Sequence, residues 1–502
     1  MASLRKQSII STLVIFIGFA VGFANNTFFT NNTWFTETQF ALTQQFYVFG
    51  LIIYAASFLG LSSYIYKFSP YYKANLKQNE NDMLSWALII PTIGFIIVCI
   101  LGYLLQHVFF KKYNTNSPTL VSYYFWLFPF GYFLLLFYIL ESYLWTLQKS
   151  ILSNFLREVA LRVYILVLIV LFILKVISFD VFIKLFVFSY ALLVVTILLY
   201  LKFSNQLYLT LKPSRVTKKF LKKIIVFALF VYAGVVISMV AQQMDSAAIG
   251  SMLTGNGKAV AIFTFAMYIS NIIQVPQRSV IAVSLPVLAT AWRSKNLNFI
   301  AAIYKRSSIN LLLIGLLTFG AIWLCFDDVL VFLGTNKSYL DGKWVVFFFG
   351  LKIIIDMGTG VNGQIIGTSN FWRFEFFTGV ILLLLIIPLN LFFIQKLGIV
   401  GAAISNLIAY TIYNIIRLMF LWYKFKMQPF SLKTLISIAL AISIYFITLF
   451  CTLNVHGFWG ICIKTTMYLS LLFAMAYFLK LSPDIEPVAT TLKKRILLLV
   501  KR

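Results

Sequence analysis

Lys352 and Asp356 stand four residues apart in a stretch, Trp344 to Ile366, that carries no other charge. An ionisable side chain near the centre of a bilayer is costly, and is a functional candidate for that reason. A spacing of four places the two on one helix face, close enough to pair. Counted from Trp344 at a rise of 1.5 Å per residue they lie roughly 12 and 18 Å along a helix, which puts Asp356 near the middle of a hydrocarbon core about 30 Å thick. Two readings are open. The pair neutralises itself and is structural, or it is a switch that opens when Asp356 takes a proton or a substrate phosphate captures Lys352.

The same stretch continues Gly358-Thr359-Gly360-Val361-Asn362-Gly363-Gln364, a run unusually rich in glycine and amides for an apolar segment. Glycine there can interrupt a helix and turn freed backbone groups toward a cavity, or it can admit a close neighbour. Asn362 and Gln364 are candidate cargo contacts, with Lys352. Arg278 is a fourth and Asn271 a fifth, with Gln274, Pro276 and Gln277 between them. Its guanidinium fork suits a pyrophosphate better than a lysine does, and Pro276 should kink its helix; snorkelling to the inner interface is the competing reading. Asp245, beside Gln242 and Gln243, is either a coupling or gating acid or a solvated helix end. Glu141, Arg162 and Arg417 fall at inner helix ends, where interfacial anchoring accounts for them, and Lys464 can snorkel outward. Gly18 and Gly22 form a GxxxG suited to close packing.

Chemistry of other kinds finds little support. The two histidines, His107 and His456, are far apart, and the four cysteines (Cys99, Cys325, Cys451, Cys462) lie in apolar stretches without metal-ligand spacing. No catalytic residue, metal or cofactor is therefore expected. A disulfide between Cys451 and Cys462, across one short loop, is a minor alternative.

The elements that position these residues follow from composition. Of 502 residues 61% are hydrophobic and 11% charged, with a mean hydropathy of +0.93. Soluble domains carry about 25% charged residues, and β-barrels alternate polar with apolar positions. An all-α polytopic membrane protein is the class that remains. Apolar segments near 8–26, 42–66, 83–105, 119–143, 159–177, 181–201, 224–252, 259–290, 308–326, 344–366, 374–395, 398–423, 432–453 and 457–481 give fourteen spans. With the N-terminus inside, alternate connections hold 28 Lys and Arg on the inner side against seven on the outer. That bias sets both termini in the cytoplasm and accounts for the net charge of +27 without a nucleic-acid partner. The expected organisation is a six-helix lobe over 1–203, a basic cytoplasmic linker over 204–223, a second six-helix lobe over 224–424, two further helices over 432–481 and a basic tail over 482–502. Halves that both start inside are related by an axis along the membrane normal, a plan in which substrate is handled where the halves meet.

Several motifs fit one group. Asp245-Ser246-Ala247-Ala248-Ile249-Gly250, the stretch Ala261 to Pro276, Leu285-Pro286 before Trp292, Gly367-Thr368-Ser369-Asn370-Phe371-Trp372-Arg373, Pro388-Leu389-Asn390 and Gly398-Ile399-Val400-Gly401-Ala402-Ala403 occur in that order. Together with the opening Lys6-Gln7-Ser8-Ile9-Ile10-Ser11-Thr12, they resemble the polysaccharide (O-antigen-type) flippases of the multidrug/oligosaccharidyl-lipid/polysaccharide flippase superfamily. The resemblance implies two six-helix lobes in a V-shaped arrangement around a cavity. It also implies alternating access and a polyprenyl-pyrophosphate oligosaccharide as cargo, used in lipopolysaccharide or other cell-surface polysaccharide biosynthesis in a bacterial cytoplasmic membrane. Lipid-linked substrate, membrane lipids and other polysaccharide assembly proteins are the implied partners, and H+ or Na+ the possible coupling ion. A multidrug cation antiporter of the same superfamily is the alternative; cationic cargo favours an acidic cavity, and no acid occurs in the first span.

Overall fold

A computed structural model of the protein describes residues 14, 17–18, 20–31, 33–147, 149–255 and 257–486. Lys6 to Thr12 and most of the basic tail lie outside the described residues. What is described is helical, and contacts divide the chain into two units, Met1–Ala261 and Ile262–Arg502.

The first unit holds α1 (20–30), α2 (Glu37–Ser57), α3 (Leu61–Asn75), α4 (Met83–Tyr113), α5 (Leu127–Thr146), α6 (Leu161–Ile173), α7 (Phe179–Phe203) and α8 (Arg215–Met252). Thr36 opens α2 with a capping box to Gln39, satisfying donors that a helix start leaves bare. Helices α2 and α5 are the inner pair, and Gly50 and Gly131 let them approach. A Cβ on Gly50 would fall 2.6 Å from Phe130, and one on Gly131 would fall 2.7 Å from Ile53. Phe130 stacks on Phe186 of α7 with centroids 5.7 Å apart. By contrast α4 turns Ile93, Ile96, Ile97, Ile100, Leu101 and Leu104 outward, each half-exposed or more. Aliphatic side chains left outside while polar ones are buried suit a lipid solvent, in which such exposure costs nothing.

Gly18 and Gly22 of the GxxxG close on the helix before and through α6. A Cβ on Gly18 would overlap the Glu158 carbonyl at 2.4 Å, and one on Gly22 would meet Arg162 at 3.0 Å. The start of α8 is fastened by Asp82, which has no exposed surface. Its Oδ2 accepts from the Ser214 amide at 2.9 Å, the Thr217 hydroxyl at 2.7 Å and the Trp86 indole at 3.1 Å. Helix α8 packs against α2, α3 and α4, so the contact division falls at Ala261, beyond residue 224 where the sequence reading begins the second lobe.

The second unit holds most of α9 (Lys258–Arg293), which runs as one helix through Pro276, then α10 (Leu297–Phe332), α11 (Lys343–Gly358), α12 (Asn362–Thr368), α13 (Trp372–Phe425), α14 (Leu432–Cys451) and α15 (Gly457–Phe478). Ten helices among the described residues are long and apolar enough to cross a membrane, eleven if the bent pair α11–α12 is one span. Helix α13 has 54 residues, roughly 80 Å at the helical rise, far more than a ~30 Å hydrocarbon core accommodates. Gly398, at φ 59° and ψ −138°, divides it. A Cβ on Gly401 would lie 2.0 Å from the Phe393 carbonyl, and the Ser405 hydroxyl donates to Asn390 Oδ1 at 2.6 Å. The division makes two arms that match the expected spans 374–395 and 398–423.

The last two helices pack on α10. Gly320 leaves the space that Tyr468 fills, since a Cβ there would be 2.2 Å from its hydroxyl, and Tyr468 donates to the Leu316 carbonyl at 3.1 Å. Lys464 does not snorkel. It is 7% exposed and its ammonium pairs with the buried Asp328 at 2.6 Å, because a carboxylate within reach outweighs the climb to water. All four cysteines are free thiols.

Gly398→Ala is expected to lower thermal stability by about 1–3 kcal/mol, the cost of an L-residue in this backbone region. Unfolding followed by tryptophan fluorescence in detergent measures it, and an unchanged Tm would contradict a break set by Gly398.

Candidate functional site

Asp356 lies in the last turn of α11, where the helix stops. Gly360 takes φ +66°, a region in which a side chain is strained. A Cβ there would meet Ser307 Oγ at 2.8 Å and the Ser308 amide nitrogen at 3.0 Å. Ser308 Oγ donates to the Gly358 carbonyl, one of the acceptors the helix end sets free. Helix α12 then leaves at an angle of 48°. The glycine run interrupts the helix and admits a close neighbour, and the freed Gly358 carbonyl is taken up by that neighbour.

Side chains from four helices meet at this break. Gln277 of α9 donates its amide to Asp356 Oδ2 at 2.9 Å, and Asn414 of α13 donates to Oδ1 at 3.1 Å. Asn414 Oδ1 in turn accepts from Asn362 Nδ2 at 3.0 Å and stands 3.0 Å from the Thr359 hydroxyl. That hydroxyl also reaches the Asp356 carbonyl at 2.8 Å, and its single proton serves one of the two at a time. Gln277, Thr359, Asn362 and Asn414 are each at most 5% exposed. Gln277 Oε1 has no hydrogen-bond partner among the described residues. Asp356 thus ties together α9, α11 and α13, and through Asn414 it reaches the first turn of α12.

Two cations flank this cluster, each over an aromatic ring. Lys352 Nζ is 3.8 Å from the Tyr410 ring centroid and 5.4 Å from that of Phe349. The Arg417 guanidinium is 3.8 Å from the Tyr413 centroid and pairs with Glu375. A cation over a ring gains on the order of 1–2 kcal/mol when desolvated. Gly363 makes room for Arg417, since a Cβ would sit 3.1 Å from the guanidinium. Arg417 is 7% exposed and does not anchor at an interface. Its carboxylate and ring partners replace the headgroup water that anchoring would have supplied.

Asp356 and Asn362 are the two candidates the structure joins in one network. Lys352 lies one turn before Asp356, over the ring of Tyr410, whose carbonyl accepts from Asn414 at 3.1 Å. Gln364 is half-buried on α12; Asn271 and Arg278 are exposed on α9, where the network uses Gln277 instead. Asp245 is 2% exposed and so is no solvated helix end. Around it, Tyr113 donates to the Ala247 carbonyl at 2.8 Å and Ser117 to that of Gly250 at 2.9 Å, fastening the end of α8. Sequence reading assigns no role to Asn414 or Glu375, and Thr359 enters it only as part of the polar run. Tyr410, Asn414 and Arg417 recur at spacings of four and three, and such a polar stripe in an apolar segment is the signal that could have found them.

The first unit has its own charged cluster. A π-turn over Leu156–Ala160 brings Arg157 to 3.1 Å from both Glu141 and Glu158, and Arg162 to 2.9 Å from Glu158. Glu141 is 4% exposed, so it too is held by partners and not by an interface.

No protein-family model matches the chain, and no curated protein does. Solved structures do match. One described as lipid II flippase MurJ in an inward closed conformation aligns with a TM-score of 0.73 at 17% identity, over 94% of this chain and 99% of that one. An inward-facing multidrug resistance MATE family transporter of the MOP superfamily aligns at 0.64 and 15%, over 83% and 98%. A MOP superfamily transporter from Pyrococcus furiosus, described as having a binding pocket of reverse polarity that suggests a different function, aligns at 0.59 and 16%, over 84% and 96%. The chain has the fold of these transporters. It is a multi-pass membrane protein whose break at α11–α12 sits inside a fold known from carriers.

Replacing Asn414 with leucine leaves Asp356 Oδ1 and the Asn362 amide without their partner. A loss of about 1–3 kcal/mol is expected for a buried group so orphaned, read as a lower Tm in detergent. A wild-type Tm would contradict the network.

Proposed function

We propose that this protein is a flippase. It carries a lipid-linked oligosaccharide, on a polyprenyl pyrophosphate, from the inner to the outer leaflet of a bacterial cytoplasmic membrane by alternating access, for cell-surface polysaccharide biosynthesis. The observation that carries this reading is the composition of the α11–α12 break: a carboxylate, three amides and a hydroxyl at a helix interruption, flanked by two ring-stacked cations. Amides donate and accept as sugar hydroxyls require, and cations suit a diphosphate. The alignment with a lipid II flippase over nearly the whole of both chains supports it. The excess of Lys and Arg in alternate connections supports cytoplasmic termini.

Lys352, Arg278, Asn271, Asn362 and Gln364 are proposed to contact cargo, and Asp356 to gate, with Asp245 as a second candidate. The gating step follows from hydrogen-bond capacity. An ionised Asp356 accepts from Gln277 and Asn414 together. Once protonated, one oxygen becomes a donor and accepts only weakly, so its hydrogen bond from an amide N–H is weakened. Either Asn414 turns away, which releases Thr359 and Asn362 at the break, or Gln277 rotates its unpartnered Oε1 onto the new proton. The first course frees α12 to move relative to α11. A coupling ion, H+ or Na+, would act at this point.

The second reading, a multidrug antiporter, is favoured by the alignment with the multidrug resistance transporter. Lipid mass spectrometry on cells depleted of the protein separates the two. Accumulation of a polyprenyl-pyrophosphate oligosaccharide, reversed by a plasmid-borne copy, is the expected result. A copy carrying both Lys352→Ala and Asn362→Ala is expected to restore turnover of that lipid at least tenfold less well. No accumulation, with new sensitivity to cationic drugs, would replace the flippase with the antiporter.

A further inference from the structure

Helix α14 has 20 residues, about 30 Å at the helical rise and so the thickness of the hydrocarbon core. Its first turn, Leu432 to Leu435, therefore sits at one membrane interface. Helix α15 packs beside α14 and, joined to it by a short loop, returns to that interface at Phe478. Between these two ends and the segment that follows lies a cleft of about 520 Å³ whose lining includes Lys433, Tyr477, Phe478, Lys480, Ser482 and Glu486.

The wall of this cleft is built and not a loose tail. Leu481 is 1% exposed and packs with Ile309, Leu313 and Ala476. Ser482 Oγ donates to Asn310 Oδ1, Asn310 donates to Asp484, and Arg306 pairs with the same carboxylate. The guanidinium holds the Asp484 carboxyl below its usual range, so near neutral pH this acid stays ionised and is neutralised by its partner. Lys433 Nζ donates to the Lys480 carbonyl at 2.6 Å, which ties one cation to the rim and leaves it two further N–H donors. Lys433, Lys480 and Glu486 together carry a net charge of one positive. Alongside, Leu432, Leu435 and Phe478 are 72%, 66% and 75% exposed, a surface that only acyl chains cover without cost.

We infer that this cleft binds the headgroup of an anionic phospholipid, its phosphodiester on Lys433 and Lys480 and its chains along Leu432, Leu435 and Phe478. One negative charge at the cations and an apolar tail along the surface beside them match the chemistry of such a lipid. The site is separate from the α11–α12 break, and its existence does not rest on the proposed cargo.

Native mass spectrometry of the purified full chain tests this with phosphatidylglycerol, phosphatidylethanolamine and inorganic phosphate as probes. One phosphatidylglycerol is expected to be retained in preference to phosphatidylethanolamine and to survive millimolar phosphate. The double substitution Lys433→Gln with Lys480→Gln is expected to weaken that retention about tenfold, while Lys433→Arg with Lys480→Arg keeps it. Lys396→Gln, a control from the connection between the α13 arms, leaves it unchanged. A monodisperse elution profile establishes that each variant is folded, and should the double variant aggregate, Lys480→Gln alone, at an exposed position, is expected to weaken retention in the same direction. Equal retention of both lipids, displacement by phosphate, or wild-type binding by the folded glutamine variants would overturn the proposal.

Discussion

A carboxylate inside an apolar span has to be satisfied by the protein, and Asp356 is satisfied by two amides that belong to other helices. That requirement organises the second unit. Gln277 and Asn414 can reach the carboxylate only if α9 and α13 pack beside the end of α11, and Asn414 has its remaining oxygen free for Asn362 only if α12 starts where it does. The break itself is held from the other side by Ser308 and by Gly360, whose missing side chain lets α10 approach. Each contact is of ordinary strength, but leaving any one buried group unpaired costs more than making the bond gains. The geometry is therefore shared among five helices and has few ways to relax.

The same rule recurs wherever charge is buried. Arg157 bridges Glu141 and Glu158 in the first unit, Lys464 meets Asp328 in the second, and Asp82 collects three donors at the start of α8. Apolar side chains show the reverse pattern, lying outward along α4 and α14. A fold whose buried charges are all bonded and whose exterior is aliphatic is stable in lipid because water is not there to compete for its buried hydrogen bonds.

Much of the architecture is legible in the sequence because span length and hydrophobicity are fixed by the bilayer. The expected spans at 374–395 and 398–423 fall on the two arms of α13, and the glycine run after Asp356 marked a break that the backbone shows. Pairing was less legible. Lys352 and Asp356 share a helix face, yet the carboxylate's amide partners come from Gln277 and Asn414, 79 and 58 residues away in sequence. Glu141, Arg417 and Lys464 read as interfacial from their place in a span, since hydropathy reports how far along a helix a residue lies and not which helices stand beside it. Distance along one chain says nothing of tertiary neighbours, and a polar residue's role in lipid is decided by those neighbours. Gln277 illustrates the difficulty, being one residue from Arg278 in sequence and on the opposite side of burial in the fold.

Asp356 is proposed to couple its protonation to the α11–α12 break and thereby to movement of cargo. Reconstitution of the purified protein into liposomes, with translocation of a polyprenyl-pyrophosphate oligosaccharide followed across a range of internal and external pH, measures this directly. Wild-type translocation is expected to vary with pH, and Asp356→Asn, which keeps the shape but cannot ionise, to be slower and no longer responsive. Translocation by Asp356→Asn at the wild-type rate with the wild-type pH profile would contradict the proposal.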